Sequence, residues 1–163
     1  MRVTVLLGTN KGAFFLESDE ARENWRVEGP FCEAWPINHV TSDGNGRIYA
    51  AGGNEWLGLD VWRTEDHGGS WARSGEGISL GDEKIDAVWS LACSGDAVYA
   101  GVKPAAIFRS ADGGETWAHL EGLANHPTRK DWVPGGAGLT LHHIVAHPEA
   151  PQKLWVGISV ACV

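Results

Sequence analysis

The stretch RTEDHGGSW (Arg63–Trp71) returns 46 residues later as RSADGGETW (Arg109–Trp117). Both read Ser/Thr-x-Asp-x-Gly-x-Ser/Thr-Trp, through Thr64, Asp66, Gly68, Ser70 and Trp71 and through Ser110, Asp112, Gly114, Thr116 and Trp117. Every position has a folding job. An Asp carboxylate accepts backbone N–H groups from the residues that follow it and closes a turn. Gly68 and Gly114 permit a positive φ that a side chain resists. The Ser or Thr hydroxyl bonds across the turn. The Trp starts a strand and packs inward, with an indole N–H that needs a partner.

The surroundings repeat with the turn. Trp25, Trp71 and Trp117 are evenly spaced, and each follows an apolar-aromatic run: GAFFLES, DVWRTED and AIFRSAD. Before each run lies a small-residue strand ending in glycine, at Gly8, Gly52 and Gly101, with a further copy, KLWVG, at Gly157. Before three of these lies another apolar run, from Ile37, Ala87 and Leu141. Each unit is thus four short strands separated by turn residues. No stretch beyond ten residues sustains a helical period. One four-stranded sheet cannot bury both faces alone, whereas radially stacked neighbours can. The expected fold is all-β: part of a β-propeller of four-stranded antiparallel blades, about three and a quarter in number, from a ring of six or seven. The expected blades are 1–30, 36–76, 85–122 and the start of a fourth at 139–163, in a single partial propeller domain.

The two turns resemble the Asp-box of the bacterial neuraminidase repeat (BNR) family, the sialidase-like and sortilin-like propellers. SDEARENW (Ser18–Trp25) is a degenerate copy, with Glu20 in place of Asp and Arg22 in place of Gly, so a looser turn is expected there. The resemblance spans the chain and implies a turn on the blade periphery, away from any catalytic mouth. It also frames the shortened count. Alignment of Gly157 with Gly101 brings the next turn due just after Val163. That suggests a truncated member, or a homodimer whose halves close one ring; open blade edges would then favour self-association.

Bulk properties exclude several classes. The net charge of −8 and the lack of a Lys/Arg run argue against nucleic acid. Cys32, Cys93 and Cys162 show no metal spacing and read as small reduced thiols. VTVLL is too short for a signal-peptide core, and no run reaches membrane-helix length, so a cytoplasmic protein is expected.

Chemistry on such a scaffold is expected at the channel mouth, near the start of the innermost strands. The residues there are Asn38 and His39, Trp89 and Ser90, and His142 and His143. They read as ligand-binding candidates or as channel lining. A zinc site from His39, His142 and His143 is disfavoured, because adjacent residues on a regular strand point to opposite faces. His147 reads as part of a turn. Long connections run from Ala72 and from Ala118, the second carrying Arg129, Lys130, Asp131 and Trp132, and Trp56 lies in another loop. Loops of that length on a rigid scaffold often carry function.

Sialidases require an arginine triad, a Tyr/Glu nucleophile pair and an Asp acid/base. The family's N-terminal Arg-Ile-Pro motif is absent. Tyr49 and Tyr99 sit inside strands, and Asn10 occupies the place where xyloglucan-active relatives carry a catalytic Asp. No catalytic set, cofactor or metal is expected. The leading expectation is a binding scaffold for carbohydrate or a protein partner. The alternatives are a glycoside hydrolase, sialidase-like or xyloglucanase-like, completed by residues elsewhere, and a protein-assembly factor.

Overall fold

The computed structural model describes residues 2–32, 35–54, 56–136 and 138–160. Cys162 and Val163 lie outside the described residues. Thirteen strands form four sheets: β1 (Val3–Thr9), β2 (Gly12–Ser18) and β3 (Trp25–Phe31); β4 (Ile37–Ser42), β5 (Ile48–Asn54), β6 (Gly58–Thr64) and β7 (Ala72–Arg73); β8 (Ala87–Ser94), β9 (Ala97–Lys103), β10 (Ile107–Ser110) and β11 (Ala118–His119); β12 (Leu141–His147) and β13 (Ala150–Ile158). Within each sheet, strands pair antiparallel with their chain neighbours. This is the propeller blade, and thirteen strands at four per blade make three and a quarter. The inner strands β4, β8 and β12 touch in chain order, and β1, the second strand of the first blade, lies against β4.

Two details differ from the sequence reading. The outermost strands β7 and β11 are only two residues long, and Trp71 and Trp117 directly precede them rather than belonging to them. His147 is the last residue of β12, not part of a loop. Its ring stacks on Trp155 and its Nδ1 accepts the N–H of Glu149, closing the short turn into β13.

The core is made between sheets. Val61 and Tyr49 of the second sheet pack with Val88, Leu91, Val102, Phe108 and Trp117 of the third. Phe15 and Ala13 of the first pack with Ile37, Ala50 and Trp62 of the second. Tyr99 and Ile107 of the third pack with Leu141 and Ile144 of the fourth. Each cluster joins one blade to the next, so a blade is stable chiefly through its neighbour.

Glycine at the end of two second strands, Gly8 and Gly101, allows this approach. A Cβ on Gly8 would lie 2.7 Å from the carbonyl oxygen of Ile37, and one on Gly101 would lie 2.4 Å from Leu141 Cδ2 and from Ser90 Oγ. The Ile37 and Leu141 contacts reach the innermost strand of the following blade, whereas Ser90 belongs to the blade of Gly101 itself. Gly101→Ala is therefore expected to destabilise by about 1–3 kcal/mol in urea unfolding, as overpacking does. Gly122→Ala, in the short helix α1 (Glu121–Ala124) with nothing within 4 Å, should be neutral or slightly stabilising.

Candidate functional site

The repeated turns lie at one end of the sheets, between the third and fourth strands. In the third blade, Asp112 Oδ1 accepts the Ser110 hydroxyl at 2.6 Å and the N–H groups of Glu115 and Thr116 at 3.0 Å each. Its Oδ2 accepts the Thr116 hydroxyl at 2.5 Å. Asp66 is bound in the same way by Thr64 at 2.7 Å and by the N–H and hydroxyl of Ser70 at 2.8 and 2.7 Å. All these bonds favour the ionised carboxylate. The Ser70 hydroxyl and N–H, then Thr64, pull Asp66 from its ordinary 3.8 down to about 2. Ser110 and Thr116 pull Asp112 lower still. An acid so held is ionised near neutral pH and serves the turn as a clamp.

The turn is also bonded to the preceding blade. The Gly113 carbonyl accepts the Tyr49 hydroxyl and Arg63 Nη1, both at 3.1 Å. The Ser74 hydroxyl donates to the Gly114 carbonyl, and Trp117 Nε1 donates to the Ser74 carbonyl. Gly114 has φ +88°, and a Cβ there would lie 2.9 Å from the Tyr49 ring. Glycine is thus required both for its dihedral and for the approach of the neighbouring sheet. At the joint between the first two blades, Gly68 sits against Phe15 and Phe31, and Trp71 packs on the same two rings.

That joint has its own polar cluster. Glu17 is only 4% exposed, yet His67 Nε2 lies 2.6 Å from it, and Arg2 and Arg26 also pair with it. Glu17, Glu28 and His67 are the described residues whose ligand atoms converge as a metal set would. Two guanidinium groups already supply the positive charge there, so the cluster is an ion-paired seam.

The degenerate first copy is better built than its sequence implies. Asp19, one residue earlier than the pattern requires, accepts the Glu23 N–H at 3.3 Å and the Asn24 amide at 2.7 Å. Arg22 holds the left-handed conformation of the missing glycine, at φ +59°. Trp25 remains largely exposed, because no described sheet packs on its outer side.

At the opposite end, the mouth, the inner strands share one irregularity. Register shifts fall between Ile37 and His39, between Val88 and Ser90, and between Leu141 and His143. Asn38, Trp89 and His142 are therefore bulge residues, and strand alternation fails there. Both His142 and His143 are exposed. Three of the six predicted mouth residues stitch blades together. Asn38 Nδ2 donates to the Val88 carbonyl at 2.9 Å, Ser90 Oγ donates to the Leu141 carbonyl at 2.8 Å, and His39 Nδ1 accepts the Leu91 N–H at 3.1 Å. Burial and then the neighbouring His143 push His39 below its ordinary 6.5. The three histidines do not converge as a ligand set.

Trp89 and His142 face outward, and so does Trp56 at the tip of the β5–β6 hairpin, 93% exposed. Asn54 Oδ1 accepts the N–H groups of Trp56 and Leu57 at 2.9 and 2.8 Å and clamps that tip. Sequence reading did not single out Asp60. Its Oδ1 accepts the Val61 N–H, and burial raises its pKa, but backbone N–H groups and Arg73 hold it in place. Burial likewise lifts the Cys93 thiol to about 12, which leaves it unreactive.

Fold and turns together define a repeat protein of the β-propeller class. No family profile matches the chain, and no curated protein matches it. Among solved structures, one described as "YCF48 bound to D1 peptide" superposes with a TM-score of 0.47 at 15% identity. The match covers 95% of this chain and 58% of that one, so the chain spans a little over half that protein's length.

Two predictions follow from the turns. The folded pKa of Asp66 is depressed, so its contribution is present above about pH 4 and is lost as pH falls through about 2. Carboxyl-carbon NMR titration should place its midpoint there, and Thr64→Val with Ser70→Ala should return it toward 3.8. Arg22→Gly should stabilise by about 0.5–1 kcal/mol in urea unfolding, through relief of the left-handed strain.

Proposed function

We propose that the chain is an Asp-box (BNR-type) propeller acting as a non-catalytic binding module, with a protein segment as partner at the mouth end. The observation that carries this reading is Trp56, a nearly fully exposed indole on a hairpin tip held by Asn54. A large apolar side chain so presented has no role in its own fold and little entropy to lose on contact. Rigid aromatics are the usual anchors of protein interfaces. Leu57 beside it is exposed as well, and Trp89 is a second exposed indole at the same end of the sheets, so apolar groups suited to peptide side chains are offered there. A sugar would ask for polar groups around the ring.

The chemistry of a sialidase finds little support. Tyr49 is buried with its hydroxyl bonded to Gly113, and Tyr99 is buried in the third blade. Asp66 and Asp112 are saturated at the far end.

The test has two arms. A displayed peptide library is panned against the chain, and a glycan array is probed in parallel. Enriched peptides should lose about tenfold or more in affinity on Trp56→Ala with Trp89→Ala. Asp96→Asn, in the exposed β8–β9 turn at the opposite end, should leave them unchanged. Glycans captured in place of peptides, or turnover of a fluorogenic sialoside or a xyloglucan oligomer, would overturn the reading.

A further inference from the structure

Three buried side-chain polar atoms lack a hydrogen-bond partner among the described residues: Trp71 Nε1, His119 Nε2 and Arg129 Nη1. The last two line one cavity of about 340 Å³. It lies on the outer side of the third blade, where the two long connections meet. His119 ends β11 and stacks on Phe108. Arg129 begins the 3-10 turn Arg129–Asp131, with its guanidinium 4.9 Å from the Trp132 ring centre. Trp132 is itself tied back, since its Nε1 donates to Thr128 Oγ1 at 3.0 Å. Leu80, Ala106 and Ala124 form apolar wall, and Glu83 lines the cavity as well.

A larger cavity of about 530 Å³ lies at the turn end, between the second and third blades, and it offers a contrast. Several of its polar groups are already bonded. Asp43 accepts the N–H groups of Asn45 and Arg47, Arg47 pairs with Glu65, and Tyr49 bonds Gly113.

A guanidinium N–H shut away from water without an acceptor costs more than an ordinary unmade hydrogen bond, because it is charged. An anion in the cavity would supply that acceptor. Arg129 presents the planar fork that suits a carboxylate. His119 Nε2, carrying the ring proton, would donate a second bond. Glu83 sets the charge. One fixed positive and one fixed negative group admit a single added negative charge better than two. The short apolar walls fit a small aliphatic body.

We propose that this cavity binds a short aliphatic monocarboxylate, either a free acid or the C-terminal carboxylate of a peptide. The site lies at the blade's outer edge and does not depend on what occupies the mouth.

The probes are sodium propionate, a tripeptide ending in Ala-Ala, the same tripeptide amidated, and inorganic phosphate at matched ionic strength. The readout is the ¹⁵N-indole resonance of Trp132 in the full chain. A saturable shift with propionate or with the acid peptide is expected, and the stronger of the two identifies the source. Arg129→Gln should weaken it about tenfold or more, the loss expected for a charge-assisted hydrogen bond. Glu83→Gln is an exposed change that leaves the fold intact, and it should tighten binding and admit phosphate. The proposal is overturned by no saturable shift at tens of millimolar, by equal binding of acid and amide, or by phosphate binding above propionate in the unaltered chain. An unchanged affinity in Glu83→Gln would overturn it as well, even if Arg129→Gln failed to fold.

Discussion

The carboxylate-centred turn, docked on the blade before it, is the interaction on which the rest depends. Inside the turn, Asp112 gathers two hydroxyls and two backbone N–H groups. That leaves the carbonyls of Gly113 and Gly114 facing outward, where Tyr49, Arg63 and Ser74 of the neighbouring sheet reach them. The Trp that follows then covers the seam and returns a bond to Ser74. Intrablade order and interblade contact are thus made by the same nine residues. The first copy, with no described blade before it, keeps only the internal part of the device: Asp19 assumes the acceptor role and Arg22 adopts the dihedral of an absent glycine.

The opposite end is held by a second device. A bulge in each full inner strand turns one residue out of the pleat and brings the next toward the adjacent blade. Asn38, Ser90 and His39 spend their polar atoms on neighbouring backbone. The same bulges leave Trp89 and His142 facing out. Asn38, His39 and Ser90 are thus stitches, whereas Trp89, His142 and His143 are exposed and can meet a partner. The long connections add a separate compartment at the outer edge, lined by His119 and Arg129.

Much of the architecture was legible before any coordinates. Turn spacing, glycines at the ends of second strands and aromatic third strands specify four-stranded units, and the sheets follow. The mouth was legible only as a place. Strand alternation predicts opposite faces for His142 and His143, but a bulge depends on pairing with another strand, and its signal is absent from the residue string. The Glu17–His67 seam was equally hidden, because its partners lie fifty residues apart and differ from the Arg63–Gly113 contact at the same place in the next joint. Arg129 stands out in its long loop, whereas nothing in the sequence around His119 marks it as a cavity residue.

The sequence by itself determined the repeat, the strand count and the identity of the turn, because these rest on local chemistry: a carboxylate reaching forward four residues, a glycine with a positive φ, a side-chain period of two. Only the tertiary structure decided which polar groups are consumed and which are left over. Satisfaction of a buried donor is a property of its surroundings and not of its own residue. The Tyr49 hydroxyl found a carbonyl on the next blade, and the Nη1 of Arg129 found none.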